Sequence, residues 1–186
     1  MPGLQLKVQW EPFFLNSSTP EEGEDLFEHI TKKYGPDMAR RFSGPDNPLT
    51  AAGRKVGIAF NPARRLIPTV RCHVVMDHVN ANFGIDKGND LMKIFFRKYF
   101  EEALNVNDRT HLVDACVELF GSDSRSWVTP LLEDKARADE IRAKDRNVKT
   151  ALRVSGVPFF IIGANQFSGA QPPEMLAEVL QEAIDA

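Results

Sequence analysis

Residues 156–162 read Gly156-Val157-Pro158-Phe159-Phe160-Ile161-Ile162, an unbroken apolar run rich in β-formers and opened by a proline. A run this short is a strand rather than a helix. Proline at the mouth of a strand brings no N–H to a ladder, so the local reading is a trans proline starting an edge strand. A cis bond is the rarer form, about 5% of X–Pro bonds, and would let Val157 offer its backbone groups to an extended peptide. Gly163-Ala164-Asn165 reads as a turn and Gln166-Phe167-Ser168 as a second short strand, so the pair predicts a hairpin. After a loop at Gly169-Ala170-Gln171, Pro172-Pro173-Glu174 starts a last helix with Met175, Leu176, Val179, Leu180 and Ile184 inward.

At the other end of the chain, Leu4, Leu6, Val8 and Trp10 alternate with Gln5, Lys7 and Gln9. That period of two predicts a half-buried strand, which Glu11-Pro12 ends. Helical signals fill the space between. Thr19 is an N-cap and Pro20 an N1 residue for a helix running to Tyr34 and stopped by Gly35-Pro36. Further helices follow over Asp37 to Phe42, Asn47 to Val56, Pro68 to Asn82, Gly88 to Ala103 and Asp108 to Gly121, with one long helix or two over Ser124 to Ser155. Lys135 to Lys149 is charged and Ala-rich, the pattern of a solvated face. Sheet elements at the two ends with helices between them imply an α/β domain from residues 1–17 and 156–186, with residues 18–155 inserted as a helical domain.

The 186 residues carry 23 Lys+Arg and 26 Asp+Glu, a formal net charge of −3. This gives no general attraction to nucleic acid or to an anionic membrane. The most apolar stretch, Val154 to Ile162, is far short of the ~20 residues of a spanning helix. Met1 to Leu15 has no basic region followed by an apolar one, so a cytoplasmic chain without a signal peptide is expected. Cys72 and Cys116 lie 44 residues apart and form neither a CxxC pair nor a zinc spacing. Their helical, partly apolar neighbours read them as reduced, half-buried thiols. His73 and His78 are five apart and do not share a helix face, so no metal site is expected. Asp77 stands four residues after His73, within reach of a local contact. No hydrolase nucleophile elbow and no phosphate loop is present.

Several of these strings resemble one family in the same order. Trp10-Glu11-Pro12-Phe13-Phe14-Leu15-Asn16, Thr19-Pro20-Glu21-Glu22-Gly23, Lys32 to Gly35, the helical block, GVPFFII and Ser168-Gly169-Ala170-Gln171-Pro172-Pro173-Glu174 are similar to the DsbA-like thioredoxin family in its FrnE-type branch, relatives of 2-hydroxychromene-2-carboxylate isomerases and kappa-class transferases. Pro68-Thr69-Val70-Arg71-Cys72-His73 resembles that branch's Asn-Thr-x-x-Ala-His helix start, with Pro and Cys in two of its places. The resemblance implies an incomplete α/β thioredoxin-like fold with a large all-helical insertion. It also implies a cis Val157–Pro158 bond facing a redox site, against the local reading. The implied substrate-binding residues are Val157, Pro158, His73, Gly169, Ala170 and Gln171. The last three precede a helix N-terminus that could hold a carboxylate such as that of glutathione, although Pro172 and Pro173 remove two donors.

Family members open with a strand leading into a Cys-x-x-Cys motif at a helix N-terminus, where the dipole stabilises a thiolate. This sequence has no such segment, so no catalytic residue is assigned. The resemblance places the absent strand between the strand at Leu4 to Trp10 and that at Val157 to Ile162. A product truncated at an internal Met1, a strand borrowed from a second copy, or a rearranged sheet would each account for it, truncation being the expected case. The implied activity is thiol–disulfide exchange on protein or small-molecule thiols, with this chain inactive alone. A glutathione-dependent isomerase or transferase, or a non-enzymatic module that binds a peptide or forms a homodimer, are the alternatives.

Overall fold

Asp25, not Thr19, opens the first helix: its Oδ1 accepts from the Glu28 amide at 2.9 Å, and α1 runs Leu26–Tyr34. Residues 20–23 instead form a turn closed by Gly23 N to Pro20 O at 2.9 Å. Gly23 has φ +75, and a Cβ there would meet the Leu66 carbonyl oxygen at 2.6 Å. That close approach lets Glu24 bridge Leu66 antiparallel, which holds the chain out of a helix until Asp25. The computed structural model describes residues 7–44, 47–154 and 157–185. Gly156, and Leu4 to Leu6 of the expected N-terminal strand, lie outside them.

Gly35 at φ +89 ends α1, and Pro36 is N1 of α2 (Pro36–Ser43). Asn47 caps α3 (Pro48–Lys55) through Thr50 N at 2.8 Å. Then come α4 (Val70–Phe83) and α5 (Ile85–Phe96), the latter extended by a π-helical turn over Arg97–Glu101. Asp108 caps α6 (Arg109–Phe120) through Thr110 N at 2.8 Å. A 3₁₀ turn (Ser122–Ser124) leads into α7 (Arg125–Glu133) and α8 (Lys135–Leu152). The stretch expected as one helix or two is thus two: α7 runs on through Pro130 and stops at Asp134, whose backbone is extended (φ −73, ψ 101) and whose carboxylate accepts from Ala136 N at 2.9 Å to start α8.

The chain falls into two compact units, Met1–Ala143 and Lys144–Ala186. The first is built on α4. Cys72, Val75, Met76 and Val79 pack with Leu91 and Phe95 of α5, Leu112, Ala115 and Cys116 of α6 and Val128 of α7. A second cluster joins Phe14, Val74 and Ile141. The described N-terminal residues belong to this unit. Lys7 to Trp10 form no strand; side-chain amides take up their backbone instead. Asn89 Nδ2 donates to Val8 O at 2.8 Å and Asn80 Nδ2 to Trp10 O at 3.3 Å, while Trp10 Nε1 donates to Asn89 Oδ1 at 2.8 Å. Period-two alternation fits a ladder, but here α4 and α5 supply the partners. By compactness the chain divides between Ala143 and Lys144, with the described residues before Ser18 in the first of the two units.

The second unit carries the hairpin. β1 (Phe159–Ile162) pairs antiparallel with β2 (Asn165–Ser168), in register Phe159 to Ser168 and Ile162 to Asn165. The connection is Gly163-Ala164, with Gly163 at φ +58 as tight hairpins require. Phe160 and Phe167 stack across the strands with centroids 5.3 Å apart. The last helix, α9 (Pro173–Asp185), lies against the turn, its Ala183 Cβ about 3.2 Å from where a Gly163 Cβ would stand. Met175, Leu176 and Val179 are half-buried, but Leu180 and Ile184, expected inward, are exposed. A two-stranded sheet has too little surface to cover a whole helix face.

Candidate functional site

Antiparallel register continues one step past the strands, and this builds the site. Opposite Phe159 stands Ser168, so the preceding Pro158 meets the following Gly169: Gly169 N donates to Pro158 O at 2.8 Å. Gly169 has φ +88 with open space where a Cβ would be, which turns the loop away from the strand. Gln171 then folds back, its Nε2 donating to Ser168 O at 3.2 Å and to Gly169 O at 3.4 Å. The result gathers Val157, Pro158, Gly169, Ala170 and Gln171 at the open end of the hairpin. The Val157–Pro158 peptide is cis. Val157 is 51% exposed, and Pro158, Gly169 and Ala170 are exposed beside it. With the Gly169 N–H engaged and Pro172 and Pro173 lacking theirs, few free donors remain before α9.

His73 belongs to the first unit. It sits in the first turn of α4, half-buried, with its ring edge-on to Phe14 at 5.3 Å between centroids. His78 stacks on Trp127 at 4.9 Å and 19°. Burial first, then the Arg137 charge, pulls its pKa below the ordinary 6.5, with Asp77 acting the other way.

The cysteines take no part in an exposed site. Both are buried as free thiols. Cys72 Sγ donates to Val106 O at 3.0 Å. Desolvation pushes both thiols up to about 12, the reverse of what a nucleophilic cysteine needs. The sequence reads them as half-buried; the core that α4 and α6 share with α5 and α7 completes the burial. Among the described residues, no three His, Cys, Asp or Glu side chains are grouped to hold a metal ion, and no helix is long and apolar enough to cross a membrane.

Other clusters were not legible from sequence. Arg64 lies between Phe60 and Phe100, its guanidinium carbon 5.8 Å from each ring, and Tyr99 Oη donates to Arg65 O at 2.8 Å. Arg64 and Arg65 are thereby tied to the π-helical turn. The aromatic spacing of residues 95–100 was the available signal.

The profile of the DSBA-like thioredoxin domain matches residues 3–181. The chain is similar to a crystal structure described as a probable DsbA oxidoreductase of Streptomyces coelicolor, with a TM-score of 0.76 and 27% identity over 93% of this chain and 73% of that one. Comparison with the curated proteins gives no match.

Proposed function

Because the chain belongs to the DSBA-like thioredoxin domain family, whose fold is α/β with a helical insertion and whose chemistry is of the thiol–disulfide oxidoreductase type, we propose that it seats an extended thiol- or disulfide-bearing partner at the open end of the β1–β2 hairpin. Val157 and Pro158 are the seat, and Gly169, Ala170 and Gln171 flank it. The placement of residues 1–17 with 156–186 in one thioredoxin-like domain, the FrnE-type branch, and a contribution of His73 to the seat belong to the same proposal.

The observation that carries this reading is the Gly169 N to Pro158 O bond of 2.8 Å. It joins the two most family-like strings, GVPFFII and SGAQPPE, at one exposed place. Disulfide exchange begins with a thiolate attacking a disulfide sulfur; a mixed disulfide forms and the displaced sulfur leaves as a thiolate. Neither Cys72 nor Cys116 suits that role, being buried and pushed up to about 12. These residues therefore supply seating without the attacking group.

Two measurements test this. In an insulin-reduction assay with dithiothreitol, the 186 residues accelerate precipitation no more than buffer does; a rate like that of a CxxC thioredoxin overturns the reading of inactivity. In an NMR titration with an extended disulfide-containing peptide, the Val157, Gly169 and Ala170 amides shift saturably. Absence of those shifts overturns the seat.

A further inference from the structure

The second core cluster of the helical unit is open on one side. Val74 is buried, but Val70, Leu131 and Ala138, packed against the cluster, are only half-buried. Together they floor a cavity of about 340 Å³. That volume, with an apolar floor and a few polar groups above it, falls within the range of small-molecule sites.

The rim is charged, and its pairings leave a remainder. Arg71 is held by Glu21 at 2.5 Å and by the Asn107 carbonyl at 3.2 Å. Arg142 pairs with Asp139 at 3.1 Å. Arg109 reaches Glu133 only at 3.5 Å, with both side chains more than half exposed, a pair that contributes little and exchanges readily. Asp134 turns its carboxylate to the first amides of α8, at 2.9 Å from Ala136 N and 3.4 Å from Arg137 N. Every acidic side chain of the rim is therefore engaged. Lys135 lines the same cavity with no carboxylate partner among the described residues.

A cationic ligand would find no spare carboxylate here, and an uncharged one would leave the Lys135 ammonium unused. We propose that this cavity binds a small amphipathic carboxylic acid, its apolar body on Val70, Val74 and Leu131 and its carboxylate on Lys135, with Arg109 available as a second donor. The assignment stands apart from the hairpin site, because every residue it uses lies in the first unit.

Sodium octanoate titrated into the ¹⁵N-labelled full chain is the test. Saturable shifts are expected at the amides of Val74, Leu131 and Ala138. Lys135→Ala, a surface change that leaves the thermal melt unaltered, weakens binding about tenfold, the effect of losing one charged hydrogen bond. Ala138→Trp fills the floor and abolishes binding. Octanol, with the same body and no charge, and acetate, with the charge and no body, each bind at least about tenfold more weakly. Shifts that never saturate, equal octanoate affinity in K135A, or octanol binding as well as octanoate overturns the proposal. A short peptide ending in a free leucine carboxylate that binds more tightly than octanoate also overturns it, in favour of a chain terminus.

Discussion

Cys72 and Cys116 sit in the same helical core, and their chemistry follows from that burial. Desolvation penalises a thiolate and at Cys72 outweighs the backbone hydrogen bond and the Arg71 charge that favour it, so both stay protonated near neutral pH. Ellman's reagent at pH 8 is expected to find no reactive thiol in the native chain and two in denaturant; prompt native reaction would mean that this helical core opens readily. His78 makes the complementary case. Its folded pKa is depressed below 6.5 by burial beside Trp127 and by Arg137. The unfolded chain then binds the proton more tightly. The His78 contribution is intact above pH ~6.5 and declines as pH falls through the folded value. An NMR titration should place its midpoint below that of the same residue in the denatured chain, and Trp127 fluorescence should change over the same interval. Both effects depend on which helix packs over which residue, and the spacing of Cys72, His73 and His78 says nothing of that.

Helix starts were the most legible features. Asn47 and Asp108 each satisfy a free amide one turn in, as their position before an apolar run implies. Thr19-Pro20 carries the same local signal and fails, because the Glu24–Leu66 bridge competes for that backbone. Close approaches were illegible for the same reason. Gly53 of α3 reads as a mild helix weakness, yet a Cβ there would stand 2.6 Å from the Phe60 ring and 2.8 Å from Ile58 O. Gly53→Ala should therefore destabilise by about 2 kcal/mol, since overpacking at about 1–3 kcal/mol exceeds the ~1 kcal/mol gained in helix propensity. Urea denaturation measures it, and a stabilised variant would mean that Phe60 moves aside without cost. The π-helical turn after α5 is a further tertiary decision. Arg97 is fixed by both Glu118 oxygens at 2.6 and 2.8 Å, and Phe100 O accepts from Asn61 N at 2.7 Å.

Across the whole molecule, burial is uneven. The first unit holds the full apolar core, whereas Asp145 alone is buried among the described residues of the second. Val157, Ile161, Leu180 and Ile184 are all exposed there, and β1 is paired on one edge among the described residues. A two-stranded hairpin is marginal by itself, so amides of β1 and β2 should exchange at least about a hundredfold faster than those of Val75 to Val79 in α4. Equal protection would show that the hairpin shares the cooperative unit of the helices. The hairpin and the place of its turn, most helix segments and the family-like strings at both ends are legible in the sequence, since these rest on local periodicity, capping and backbone preference. The fate of the alternating N-terminal segment, the depth of the cysteines and the Arg71–Glu21 and Arg109–Glu133 pairs beside the helical cavity were settled by the tertiary structure. Each of those depends on a partner distant in sequence, where no local pattern reaches.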